Sequence, residues 1–286
     1  MLSANHAGLQ SLVNICQEFA STRNLKFGTN SDPSKSKTKC IVFSKRQKDC
    51  VNLSPIRLNN QELPWVKKIM HLGCTLEADN SMRTDMTIKR GRFIGKVNSL
   101  LQEFHFSDPS TLAELTKVYA SSFYGSTLWN LNSKEAERLY AAWNVAMRNI
   151  FQLDRKTHRY LVQPLSDCLH LKATLLGRLV QFYQGLLKSN KFTIRFLVRI
   201  QEHDMRTVLG QTLDFLVREC GLKLGETRKL TASLVKKKLL YAEVPHDMEW
   251  KVNLARELID IRDGRMEVFG FERTEIDNLL TYCCTT

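Results

Sequence analysis

The chain has 286 residues, a formal net charge of +13 and a sequence pI near 9.4. Its 43% hydrophobic and 25% charged residues match ordinary globular usage, which excludes wholesale disorder and leaves material for one large domain or two average ones. No apolar run approaches the roughly 20 residues that span a bilayer, and the opening Met1-Leu2-Ser3-Ala4-Asn5-His6 lacks the charged and apolar regions of a signal peptide, so the expectation is an intracellular protein, nuclear or cytoplasmic, with no membrane partner.

The basic excess is uneven. The first 100 residues hold 16 of the 42 Lys+Arg but 7 of the 29 Asp+Glu. Such an excess favours polyanionic partners, because each neutralised phosphate releases condensed counterions. A solvated basic surface without a specific partner gives the same composition. The eight cysteines include no Cys-x-x-Cys pair, so neither a zinc ribbon nor a disulfide framework is expected, and no metal or other cofactor. Cys16, Cys40 and Cys74 stand among apolar residues and read as small core residues.

In chain order, His6 to Ser21 is an amphipathic helix, with Leu9, Leu12, Val13, Cys16, Phe19 and Ala20 at helical spacing and Asn5 as N-cap. Leu25–Gly28 and Thr38–Phe43 read as short strands around a polar loop turned at Asp32-Pro33. Val51–Leu53, Ile56–Leu58 and a stretch around Lys68–Leu76 are further strands, with a turn at Asn59-Asn60. From Ser81 the pattern turns helical. Met82 to Phe104 is a long helix with Ile88, Phe93, Ile94, Val97, Leu100 and Leu101 on its apolar side. Asp108 and Pro109 open the next, running to about Leu128, and Ser133 caps Lys134 to Phe151. Shorter helices follow over 157–162, 171–188, 191–202, 206–220, 226–241, 246–262 and 272–282, with stops at Gly221, Gly225 and around Pro245-His246-Asp247. The fold class is therefore α+β and mostly α: a small antiparallel sheet with one helix, then a helical bundle, then a helical C-terminal region. The expected segments are 1–78, 79–155 and 156–286.

The order of motifs resembles non-LTR retrotransposon reverse transcriptases, from the stretch just after the catalytic Asp-Asp hairpin. Cys16-Gln17-Glu18-Phe19-Ala20 looks like that family's post-catalytic helix. Asn30 with Lys35 to Phe43 is similar to its Asn-x-x-Lys-Ser/Thr-Lys segment, and Leu72-Gly73 to its primer-gripping hairpin. Val118 to Ser126 with Trp129 looks like a thumb helix, and Ala142-Trp143-Asn144, Arg148 and Thr157-His158-Arg159 like the region beyond it. About 160 residues carry the resemblance; the rest is generic helix. It implies a palm remnant over 1–78 and a thumb over 79–155.

The family's nucleotidyl transfer needs carboxylates that hold two metal ions. No Asp-Asp dipeptide occurs in the 286 residues, and Asp32, Asp49, Asp79 and Asp85 match none of the family's metal-holding positions. The Cys/His zinc knuckle has no match either. The resemblance thus implies ancestry without polymerase chemistry, with RNA or RNA–DNA duplex as the expected partner, bound weakly and without sequence preference. Two alternatives stand beside it. One is a helical interaction or scaffold protein with no nucleic-acid role. The other is an incomplete gene model of an active RNA-directed DNA polymerase.

The candidate nucleic-acid-binding residues follow. Lys35, Lys37 and Lys39 alternate and would project to one side of an extended segment. Leu72 and Gly73 form the hairpin turn, with a structural glycine as the simpler reading. Lys89, Arg90, Arg92 and Lys96 cluster on the first thumb-like helix, with Lys89, Arg92 and Lys96 sharing a face. Tyr119, Phe123, Tyr124, Trp129, Tyr140 and Trp143 are expected in the core rather than as base-stacking platforms. Lys236-Lys237-Lys238, with Arg228 and Lys229 before them, read as a solvated face, and His158 and His170 as lone histidines.

Overall fold

The structure is a computed structural model that describes residues 1–30, 32, 35–44, 53–166, 170–223, 226–241, 249–264 and 272–285. The features expected at Asp49, Cys50, Val51-Asn52, Cys168, Gly225 and Pro245–Asp247 lie outside these residues. The chain is α+β and mostly α, 60% helical, with two small antiparallel two-stranded sheets among the described residues. It divides into two compact units, Met1–Asp85 and Met86–Thr286.

In the first unit, α1 (His6–Ser21) starts at Asn5, whose side-chain oxygen accepts from the Gly8 amide at 2.7 Å. Strands β1 (Ile56–Leu58) and β2 (Gln61–Leu63) pair through a two-residue turn, Asn59-Asn60, in which both residues have positive φ. Asparagine tolerates that geometry, and its twist suits a hairpin. Strands β3 (Lys68–His71) and β4 (Cys74–Glu77) make a second hairpin around Leu72-Gly73, again with both φ positive. Val13 of α1, Cys40, Ile56, Leu58 and Leu63 form the core, with Leu9 and Trp65 against it.

The single small sheet expected from the sequence is two hairpins. Leu25–Gly28 and Thr38–Phe43 form no strand; they share one backbone bond, from the Thr38 amide to the Gly28 carbonyl at 3.1 Å. Cys40 instead bridges Trp65, donating to the Pro64 carbonyl at 2.9 Å and accepting from the Val66 amide at 2.8 Å. The outer edge of β1 is covered by α1. The Gln10 side-chain amide donates to the Arg57 carbonyl at 2.9 Å and its oxygen accepts from the Arg57 amide at 2.8 Å. A glutamine thus does what a third strand would do there.

In the second unit, α2 (Arg83–Glu103, its first turn in unit 1) buries Met86, Phe93 and Val97. Helix α3 (Pro109–Leu115) is capped by Asp108, as its sequence predicts, and passes into a π-helical turn over Thr116–Ala120. The helix expected to reach Leu128 ends there. Phe123 (φ 38°) and Gly125 (φ 79°) turn the chain before a short 3-10 turn at Ser126–Leu128. Ser133 caps α4 (Lys134–Ile150), whose buried face carries Leu139, Tyr140, Trp143, Met147 and Ile150. Then come α5 (Arg159–Ser166), α6 (Leu171–Leu187), α7 (Phe192–Glu202), α8 (Val208–Glu219), α9 (Ala232–Tyr241), α10 (Glu249–Arg262) and α11 (Arg273–Thr285). Phe93 joins the layers, with ring centroids 5.6 Å from Phe123 and 5.7 Å from Trp143.

Candidate nucleic-acid interface

The basic side of α2 is the most developed of the expected sites. A helix turns 100° per residue, so Lys89, Arg92 and Lys96 fall within about 60° of one another. The structure nevertheless splits them. Lys89 stands one turn before Phe93 and is only 9% exposed. Its ammonium donates to the Tyr124 carbonyl at 2.5 Å and lies 5.5 Å from the centre of the Trp129 ring. Lys89 therefore leaves the exposed stripe expected from the sequence: its aliphatic stem packs inward and its charge meets a carbonyl and an aromatic face. Arg92 and Lys96 are exposed, one turn apart, and Arg90 is half-buried further round. The Lys96 ammonium donates to the Tyr119 carbonyl at 2.9 Å, which uses one of its three protons.

The segment facing these cations is the end of the π-helical turn and the break after it. Its carbonyls have lost their helical partners and are met by side chains instead. Lys96 takes Tyr119, Lys89 takes Tyr124, and Arg178 of α6 reaches Ser122 at 2.7 Å and Ser121 at 3.4 Å. Burial draws the Arg178 guanidinium below its ordinary pKa. Three cations on two helices thus fix the span from Tyr119 to Tyr124. The break also sorts the aromatics. Phe123, Trp129, Tyr140 and Trp143 are buried as expected, with the Tyr140 hydroxyl donating to the Leu131 carbonyl at 2.9 Å. Tyr119 and Tyr124, expected in the core, are 62% and 63% exposed. Helical spacing could not show this, because the spacing ends where the helix does.

Carbonyl bracing by cations recurs in this unit. Arg148 donates twice to the Thr157 carbonyl, at 2.7 and 3.1 Å, and buried Arg262 donates to the Phe151 carbonyl at 2.8 Å. Part of the chain's basic excess is thus consumed inside the fold.

The other expected residues lie in the first unit. Lys35 and Lys37 are exposed on either side of buried Ser36, and Lys39 is half-buried. Residues 35–38 form a turn and bends rather than a strand, with the Ser36 amide donating to the Asp32 carbonyl at 3.0 Å. Lys35 also lies 4.0 Å from the Asp32 carboxylate. Leu72 and Gly73 sit at the tip of the second hairpin, and Leu72 is 74% exposed. Below it, the Glu77 carboxylate accepts from the Thr84 amide at 2.7 Å and pairs with Lys68 at 3.3 Å. Burial by itself raises this carboxyl, but the Thr84 and Lys68 donors outweigh it and hold its pKa below the usual 4.5.

Among the described residues, no group of three His, Cys, Asp or Glu side chains is placed to hold a metal ion, and no helix is long and apolar enough to cross a membrane. His170 caps α6, accepting from the Lys172 amide at 3.2 Å. Cys284 is buried, and burial pushes its thiol up to about 12. Comparison with protein-family models, curated proteins and solved structures finds no match.

Proposed function

We propose that the chain is a retrotransposon-derived, reverse-transcriptase-like protein that performs no polymerisation and holds RNA or RNA–DNA duplex weakly, without sequence preference, through the basic side of α2. The observation that carries this reading is the exposed pair Arg92 and Lys96, one turn apart on a helix with no acidic residue between Met86 and Gln102. Phosphate contact needs exposed charge on a rigid element and no particular base geometry, which is what this pair offers. The lack of an Asp-Asp pair in the sequence supports the non-catalytic half of the reading.

Titrating labelled RNA with the full chain from 50 to 200 mM salt tests it. The affinity should fall steeply, with log K against log salt losing about one unit of slope in Arg92→Gln. Salt-independent or absent binding defeats the reading, and primer extension with magnesium or manganese defeats its non-catalytic half.

One observation favours a helical interaction protein instead. The outer face of α7 exposes Phe192, Phe196, Leu197 and Ile200, and the Phe192 and Phe196 rings stack 5.9 Å apart. A ridge of this kind suits a protein contact.

A further inference from the structure

We infer that Tyr119 and Tyr124 form a stacking site for unpaired nucleobases, with Arg92 and Lys96 set to meet the intervening phosphates, so that the occupant is single-stranded nucleic acid. The inference rests on the nucleic-acid reading above and narrows it from duplex to single strand.

Four observations carry it. First, both tyrosines are exposed while the neighbouring Phe123 and Trp129 are buried, and of the two rings the Tyr124 ring also lies 5.9 Å from the Lys89 ammonium. Second, their backbones are held. The Tyr119 and Tyr124 carbonyls accept from Lys96 and Lys89, and Arg178 fixes Ser121 and Ser122 between them. Aromatic groups on a fixed backbone lose little freedom when a ligand arrives. Third, the two braced carbonyls are anchored to one helix, since Lys96 and Lys89 stand seven residues apart on α2, about 10 Å along its axis. Fourth, Arg92 lies between Lys89 and Lys96 along the same side of the helix and is exposed. An exposed cation on the helix that braces both tyrosines is set to meet the phosphates of a bound strand.

A duplex does not suit this arrangement. Its bases have both faces covered by neighbours, and only a terminal pair could offer one. An unpaired strand offers a face at every base, and stacking tolerates any sequence.

The test is fluorescence anisotropy with the full chain and 5′-fluorescein-labelled oligouridine of 12 nucleotides, against a 12-base-pair RNA–DNA duplex, each at 50 and 200 mM salt. The chain should bind the single strand more tightly than the duplex. Tyr119→Ala/Tyr124→Ala should weaken single-strand binding about tenfold or more, leave duplex binding unchanged and keep the salt slope. Tyr119→Phe/Tyr124→Phe should restore it, since stacking needs the ring and not the hydroxyl. Neither change removes a carbonyl brace, and matching circular dichroism shows that the fold stands. Equal affinity for both nucleic acids, or unaltered single-strand binding in the alanine variant, overturns the inference and leaves the broader reading intact. Absence of binding to either nucleic acid overturns both.

Discussion

The Lys89 ammonium and the Tyr124 carbonyl oxygen are 2.5 Å apart, in a setting where only 9% of the lysine is exposed. A charge so placed is costly unless its donors are satisfied, and here a carbonyl and the face of Trp129 meet it. The same contact holds the chain where it leaves helical geometry. Lys89→Met keeps the aliphatic stem and removes the donor. It should cost about 1–3 kcal/mol, the range for losing a charge-assisted hydrogen bond in a buried setting. Urea denaturation would give the loss, and amide exchange should rise first over residues 119–126. The salt slope of RNA binding should stay unchanged, in contrast to Arg92→Gln. A change of slope in Lys89→Met would mean that this lysine reaches phosphate after all.

Leu72 occupies left-handed backbone, φ 47°, at the first position of its hairpin turn. A leucine there strains against its own Cβ by about 1 kcal/mol, whereas asparagine is a preferred residue of such turns. Leu72→Asn should therefore stabilise the second hairpin by about 0.5–1 kcal/mol, read as slower exchange of the Lys68–Glu77 amides. Faster exchange would show that the exposed leucine side chain contributes packing that outweighs its backbone strain.

Glu77 makes this hairpin sensitive to acid. Its folded pKa lies below the 4.5 of an unperturbed glutamate, because the Thr84 amide and Lys68 stabilise the carboxylate more than burial disfavours it. A depressed folded pKa means that the unfolded chain binds the proton first. The stabilisation is therefore complete above about pH 5. It is lost as pH falls through the folded value. Hairpin amide exchange measured from pH 6 to pH 3 should show extra destabilisation below 4.5 in the native chain. Glu77→Gln should remove that extra pH dependence and be less stable at pH 6.

Much of the fold was legible because its signals are local. Asn5, Asp108 and Ser133 each name a helix start, and each accepts the amide that capping requires. Asn59-Asn60 likewise carries its own turn geometry. What failed depends on partners distant in sequence. Residues 116–128 hold apolar and aromatic residues at helical spacing, with no proline and no glycine before Gly125. The chain breaks there because Lys89, Lys96 and Arg178 offer its carbonyls another set of donors, and Arg178 lies 56 residues from Ser122. The same cause hid the exposure of Tyr119 and Tyr124 and the burial of Lys89. Thr38–Phe43 has strand composition, but strand formation needs a ladder partner, and Cys40 found only a bridge to Trp65. Net charge misled in a similar way, since it counts Lys89, Arg148, Arg178 and Arg262 as surface when they brace carbonyls.

Glycines in helices make the last case, because sequence alone gives the wrong sign at one of them. Alanine is a better helix former than glycine by up to about 1 kcal/mol, so Gly→Ala should stabilise a helix wherever the new methyl has room. Gly95 on α2 is exposed and a Cβ there would meet nothing within 4 Å. Gly210 in the first turn of α8 differs. A Cβ there would lie 2.8 Å from the Gln201 carbonyl oxygen and closer still to that of Asp204. Those carbonyls cannot easily retreat, since they share the one Thr207 hydroxyl proton, with the oxygens 3.1 and 2.8 Å away, while that hydroxyl also accepts from the Gly210 amide. Gly95→Ala should raise the thermal midpoint by about 1–4 °C. Gly210→Ala should lower it by several degrees, reflecting about 1–3 kcal/mol of overpacking. Thermal melts of both variants by circular dichroism decide the matter, and equal shifts in the same direction would show that the loop before α8 yields to the added methyl.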